Sequence, residues 1–245
     1  MTRSSRLLRL AVLAFVLSVW SGAESIAGTY GIILAGNDTT QFTWESPRGL
    51  LQGAFDRATE RTADAFLGEL SLDGLLRLRA DALTEVGFEA QVRDFVSMTG
   101  PNDALLFYYA GHGLVGSMQP AFVSPSDGIE EEDATETPRG LYAYDRLWSL
   151  LGSRACRTVV IIDACFSGSA IGEFDDSWTV VTSCRADQRT LLAWNYGSVF
   201  NVWFIHAITS GRTRLDEILE GVYLQFGEEF QVAGDAGVDL AAPCL

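Results

Sequence analysis

Two continuous apolar runs, each closed by a glycine-flanked polar turn, constrain this chain more than any other feature. Ala104 to Tyr109 ends in Ala110-Gly111-His112-Gly113, and Thr158 to Asp163 ends in Ala164-Cys165-Phe166-Ser167-Gly168. Apolar runs without alternation belong to strands buried on both faces, the habit of parallel sheets covered by helices. Tyr30 to Ala35 and Trp178 to Ser183 read the same way, Leu72 to Leu78 more weakly, and Ala121 to Val123 as a minor strand. Helical periodicity runs over Pro47–Leu70, Ala80–Ser97, Leu141–Leu151, Ser198–Ser210 and Leu215–Phe226, and Val238 to Leu240 is a candidate last strand. Strands alternating with helices predict an α/β fold: a mainly parallel central sheet of about six strands with helices on both faces. Polar and small residues gather after the strands, at the carboxyl edge where open α/β sheets place their sites.

Charge and residue counts narrow the chemistry. The net charge is −15, and all 17 basic residues are Arg. An acidic chain repels phosphate, so a nucleic-acid module is disfavoured. Without Lys there is neither Schiff-base chemistry nor a P-loop. Only His112 and His206 exist, so a three-His zinc site is excluded. Arg3, Arg6 and Arg9 precede an apolar run from Leu10 to Trp20 and then small residues. That is the pattern of a signal peptide cut after Ala23, with an uncleaved anchor as the alternative. Residues 1–23 are thus read as the signal and 24–245 as one domain of a secreted or periplasmic protein, with no membrane span in the mature chain. Export permits disulfides, but if one of Cys156, Cys165, Cys184 and Cys244 is a catalytic thiol, one bridge at most can form.

His112 and Cys165 stand 53 positions apart. If their strands are neighbours, about 4.8 Å separates them, and the first loop residues face each other across the sheet edge. A free thiol has a pKa of about 8.5, and a nearby imidazole can take its proton. Gly111 and Gly113 leave room for a substrate backbone. The Gly113 and Cys165 amides are candidate oxyanion donors. Acyl transfer by such a pair needs no cofactor. His206 lies inside an apolar helix and is read as structural.

Tyr108-Tyr109-Ala110-Gly111-His112-Gly113 and Asp163-Ala164-Cys165-Phe166-Ser167-Gly168 resemble the two signature segments of caspase-like cysteine peptidases, the group of caspases, metacaspases and paracaspases. Legumain-like peptidases share the plan and are the near alternative. Weaker resemblance extends from Tyr30 to about Ser210 and includes Phe122–Asp127. The resemblance implies a caspase–hemoglobinase-like fold, Cys165 as nucleophile, His112 as general acid/base and the Gly113 and Cys165 amides as the oxyanion hole.

Asp163 and Cys165 are two apart, so in a strand both point to one face, about 7 Å from each other. A carboxylate there suits a P1 Arg or Lys, and the resemblance to metacaspases implies an acidic P1 pocket at this position. The alternative is that Asp163 accepts hydrogen bonds from its own loop. The Arg with which caspases grip an acidic P1 has no counterpart around Trp194-Asn195, although Arg185 still offers positive charge. Asp56 stands one residue away from the spacing that the metacaspase pattern expects for a second pocket wall. Cys184 is placed as a pocket-lining residue, a resolving thiol being the weaker reading. The acidic loop Asp127–Glu136 offers the oxygens that Ca²⁺ takes but lacks EF-hand spacing; a solvated or processed loop is the favoured reading. The expected activity is a cysteine endopeptidase acting on protein or peptide substrates with basic P1. The alternatives are a non-catalytic caspase-like binding module and a legumain-like peptidase or transpeptidase with Asn/Asp P1.

Overall fold

The computed structural model describes residues 27–37, 53–120, 141–152, 155, 157–174, 176–193, 196–226 and 230–242. The signal segment, Ala121–Val123, Phe122–Asp127, the Asp127–Glu136 loop, Trp194-Asn195, Cys156 and Cys244 lie outside these residues. A six-stranded sheet forms the centre, built from β1 (Thr29–Ala35), β2 (Gly74–Arg79), β3 (Ala104–Ala110), β7 (Arg157–Asp163), β8 (Thr179–Thr182) and β9 (Gln231–Ala233). Its order is β2-β1-β3-β7-β8-β9, parallel except for the antiparallel edge strand β9. A small antiparallel sheet of β4 (His112–Leu114), β5 (Ser117–Gln119) and β6 (Tyr142–Ala143) stands beyond the carboxyl end of β3.

Side chains of β3 and β7 alternate between two apolar layers. Phe107, Tyr109, Val160 and Ile162 pack with Phe88 and Val92 of α2 (Glu85–Val96) and Leu147 and Leu150 of α3 (Tyr144–Leu151). Leu106, Tyr108, Val159 and Ile161 pack with Ala58 and Phe66 of α1 (Ala54–Glu69), Phe204 of α4 (Val199–Thr209) and Ile218 of α5 (Leu215–Phe226). Burying each such side chain is worth about 1.5–3 kcal/mol, which is why the strands carry no polar alternation. Among the described residues no helix is long and apolar enough to cross a membrane.

Several boundaries differ from the sequence reading for identifiable reasons. α2 begins at Glu85 rather than Ala80, because Thr84 caps it, its hydroxyl accepting from the Gly87 amide at 3.1 Å. Ala80–Ala82 forms a separate 3₁₀ turn. Two residues before α3, Tyr142 and Ala143, pair with β5 instead of extending the helix. The last strand is Gln231–Ala233, not Val238–Leu240; Asp239 only bridges to Arg214. Two carboxylates clamp the entry to β1: the Gly28 amide donates to Asp103 at 2.7 Å and the Thr29 amide to Asp73 at 2.8 Å.

Candidate active site

Four strands end in one row. Arg79, Ala35, Ala110 and Asp163 are successive lateral partners across β2, β1, β3 and β7. The chain leaving β3 stays tied to this row, because the Gly111 amide donates to the Asp163 carbonyl at 3.2 Å and the Gly36 amide to the Ala110 carbonyl at 2.8 Å. A Cβ on Gly113 would collide with the Cys165 carbonyl and come within 2.9 Å of the Ala164 Cβ. The turn carrying His112 is therefore pressed against the turn carrying Cys165, at the sheet edge where the sequence places a site.

Both side chains are half-buried. The His112 ring meets the Phe55 ring edge-on, with centroids 5.0 Å apart, and its carbonyl accepts from the Tyr109 hydroxyl at 2.7 Å. Phe55 comes from the start of α1, and periodicity gave it no site role. Burial lowers the His112 pKa. Burial also raises that of Cys165, against a hydrogen bond from the Thr190 amide and the charge of Arg189, which pull it down. Both shifts favour the uncharged thiol and imidazole in the resting protein. A neutral imidazole is the form that can accept the thiol proton.

Hydrogen bonds fix the turn that carries Cys165. Phe166 adopts a left-handed conformation (φ 58°), unusual for a bulky residue, and its amide donates to the Gln188 carbonyl at 2.7 Å. Such a conformation persists only where the surroundings over-determine it. Ser169 donates to the Phe166 carbonyl at 2.7 Å and accepts from the Gly116 amide at 2.8 Å, joining this turn to the β4–β5 hairpin. Cys184 is fully buried, and its thiol donates to the Ala164 carbonyl at 3.2 Å and the Gln188 carbonyl at 3.3 Å. It supports the turn from below.

Asp163 is 3% exposed, and its Oδ2 accepts from Ser198 at 2.6 Å and Tyr108 at 3.1 Å. The partners are hydroxyls, not loop amides. Ser198 also caps α4 by accepting from the Asn201 amide at 2.8 Å, and Asn201 donates to Tyr108 at 2.6 Å. Burial pushes Asp163 up to about 6, against the hydrogen bonding of Ser198, Ser183 and Tyr108. Asp163 Oδ1 and Asn201 Oδ1 are buried with no partner of good hydrogen-bond geometry among the described residues. The bond from Ser198 joins the start of α4 to the end of β7. Asp56 is ion-paired with Arg79 at 2.7 Å and Arg77 at 3.6 Å. Arg185 pairs with Asp187 at 3.2 Å on the surface. Among the described residues no group of three or more His, Cys, Asp or Glu could hold a metal.

No curated protein matches the chain. Among solved structures, the crystal structure of caspase-1 from Spodoptera frugiperda is similar, with a TM-score of 0.58 at 12% identity, covering 85% of this chain and 86% of that one. At that identity the likeness speaks to the fold. Residues 65–229, a span that holds both His112 and Cys165, match the caspase domain. A mainly parallel six-stranded sheet and a sequence match over most of its length give one conclusion: the chain belongs to the caspase domain family of cysteine peptidases.

Proposed function

We propose that this protein is an exported cysteine endopeptidase in which Cys165 and His112 form a catalytic dyad and Asp163 directs cleavage after Arg or Lys. The observation that carries this reading is the contact of the two turns at Gly113 and Cys165, with both reactive side chains half-buried at the carboxyl edge of the sheet. His112 takes the Cys165 proton as the sulfur attacks the scissile carbonyl. The Gly113 and Cys165 amides then stabilise the oxyanion. His112 returns the proton to the leaving amine, giving an acyl-enzyme, and then activates water to hydrolyse it. No step calls for a metal or an organic cofactor, and Ca²⁺ enters only as a candidate activator through the acidic loop.

The unpartnered Asp163 Oδ1 supports the P1 preference, since a buried acceptor without a donor is costly and a guanidinium would supply one. Asn201 Oδ1 offers a second acceptor on the same hydrogen-bonded cluster. Asp56 is kept as a second pocket carboxylate, one that a basic side chain would share with Arg77 and Arg79. Export rests on the charged start and apolar run of residues 1–23. The test is a panel of fluorogenic peptides with Arg, Lys, Asp or Asn at P1, run with and without Ca²⁺ and with Cys165→Ala as control. Turnover confined to Arg and Lys, and lost in Cys165→Ala, is expected. Preference for Asn or Asp would replace the pocket assignment, and no turnover on any peptide would make the protein a binding module.

A further inference from the structure

Cys184 is a buried nucleophile that the proposed peptide chemistry leaves unused, and its position beside Cys165 gives it a task. β8 pairs with β7, with Thr182 opposite Ile162, and the Ser183 amide donates to the Ile162 carbonyl at 3.0 Å. The chain after β8 therefore runs alongside the nucleophile turn. The Cys184 thiol touches the main chain on both flanks of Cys165. One contact is the Ala164 carbonyl, directly before Cys165, at 3.2 Å; the other, at 3.3 Å, is the Gln188 carbonyl that accepts from the Phe166 amide, directly after Cys165. Ser167 Oγ stands 3.5 Å from the same sulfur. The two thiols are close enough that Cys184 raises the Cys165 pKa electrostatically. Their exposures differ in a useful way, since Cys165 reaches the sheet edge while Cys184 is sealed from solvent.

We propose that Cys165 and Cys184 are a hydroperoxide-sensitive modification site, with Cys165 as the oxidised thiol and Cys184 as the thiol that resolves it. The Cys165 thiolate attacks one oxygen of the hydroperoxide and breaks the O–O bond. This gives a Cys165 sulfenic acid and releases an alcohol, or water when the oxidant is hydrogen peroxide. The Cys184 thiolate then attacks the Cys165 sulfur, the S–O bond breaks, the S–S bond forms, and the oxygen leaves as water with the Cys184 proton. Two thiols lose two electrons and the peroxide gains them. Bridging removes the nucleophile reversibly and keeps it from the sulfinic state, which small thiols do not reverse. Burial raises both thiol pKa values, so deprotonation limits the sequence and its rate climbs with pH.

The sequence supplies a clean readout. The tryptic peptide from Thr158 to Arg185 holds Cys165 and Cys184 with no Arg or Lys between them, while Cys156 and Cys244 fall in other peptides. The full chain is treated with hydrogen peroxide, free thiols are alkylated without reduction, and the digest is weighed. The expected Thr158–Arg185 peptide is lighter by two hydrogens, about 2 Da, carries no alkyl group, and returns to the reduced mass after dithiothreitol. In Cys184→Ser the same peptide is expected to carry sulfinic Cys165 that dithiothreitol does not restore. Wild-type peptide with sulfinic Cys165 and alkylated Cys184, or a bridge from Cys165 to Cys156 or Cys244, would overturn the proposal. The wild-type masses decide it even if Cys184→Ser fails to fold. The readout needs no peptide turnover, so it stands or falls separately from the peptidase assignment.

Discussion

The two strand ends that build the site are held by different means. The turn after β7 is a polar lattice: Gln188 binds the Phe166 amide, Ser169 ties the turn to the β4–β5 hairpin, and Cys184 supports Ala164 from beneath. The turn after β3 combines main-chain bonds, from the Gly111 amide to the Asp163 carbonyl and across the β4–β5 pairing, with close fit: Gly113 lies against the Cys165 carbonyl and the Phe55 ring stands edge-on to His112. A nucleophile must hold its backbone amide in place for the oxyanion, and directional bonds serve that purpose. In the proposed reaction His112 must turn between sulfur and leaving group, and the Phe55 edge borders its ring on one side.

Removing either reactive group tests the pair itself. Cys165→Ala and His112→Ala should each lower kcat/KM by roughly 10³-fold or more on the preferred peptide, with the far-ultraviolet spectrum unchanged. Gly113→Ala strikes the junction between the turns. Its methyl collides with the Cys165 carbonyl, so kcat should fall by roughly 10²-fold, and retention of activity would show that the turns are not in firm contact. Asp163→Asn should cost roughly 10- to 100-fold in kcat/KM for P1 Arg and far less for uncharged P1. In the native protein the preference for Arg should fade as pH drops below about 6, where Asp163 takes a proton.

Asp163 also carries a stability signature of definite sign. Its folded pKa lies above the ordinary 3.8, so the folded state binds this proton more tightly than the unfolded chain. Stability should decline as pH rises from 3.8 through about 6, by up to about 3 kcal/mol. Asp163→Asn should flatten that slope in denaturant titrations; an unchanged slope would assign it to other groups. Phe55→Ala should reduce kcat by roughly tenfold with little change in KM, and Phe55→Leu should restore part of it, since the ring positions the base rather than the substrate. The smallest effect belongs to Asp56→Asn, at no more than about 1 kcal/mol of stability, because its partners Arg77 and Arg79 are themselves partly exposed.

The sheet interior was legible because β1, β3 and β7 are apolar on both faces, and such runs have few other ways to fold. β9 was misplaced because its three residues are only half-buried at the edge, where packing leaves little apolar trace. The start of α2 hid inside a helical pattern because one hydroxyl, on Thr84, outweighs the periodicity around it. The site divided in the same manner. His112 and Cys165 stood out because each sits in a glycine-containing turn after a strong strand. The surroundings of Asp56 and Cys184 were not legible, because Asp56 meets Arg77 and Arg79 of β2 and Cys184 meets Ala164 and Ser167 of the turn after β7, all distant in sequence. Phe55 and the Ser198–Asn201 cluster passed unnoticed, since a ring edge and a capping hydroxyl have the same local signature with or without a ligand nearby.

The carboxylate clamp on Gly28 and Thr29 limits how far the chain can be shortened ahead of β1. β1 is an interior strand, so its first amides sit where water cannot replace a lost acceptor. Trimming after Ala23 would leave Glu24 to Ala27 as a short lead into the clamp, and the domain would keep every bond that seats β1. A cut directly after Gly28 would instead leave a charged amine on Thr29 at Asp73 and strip Asp103 of its Gly28 donor, so any trimming that keeps the clamp must stop before that glycine.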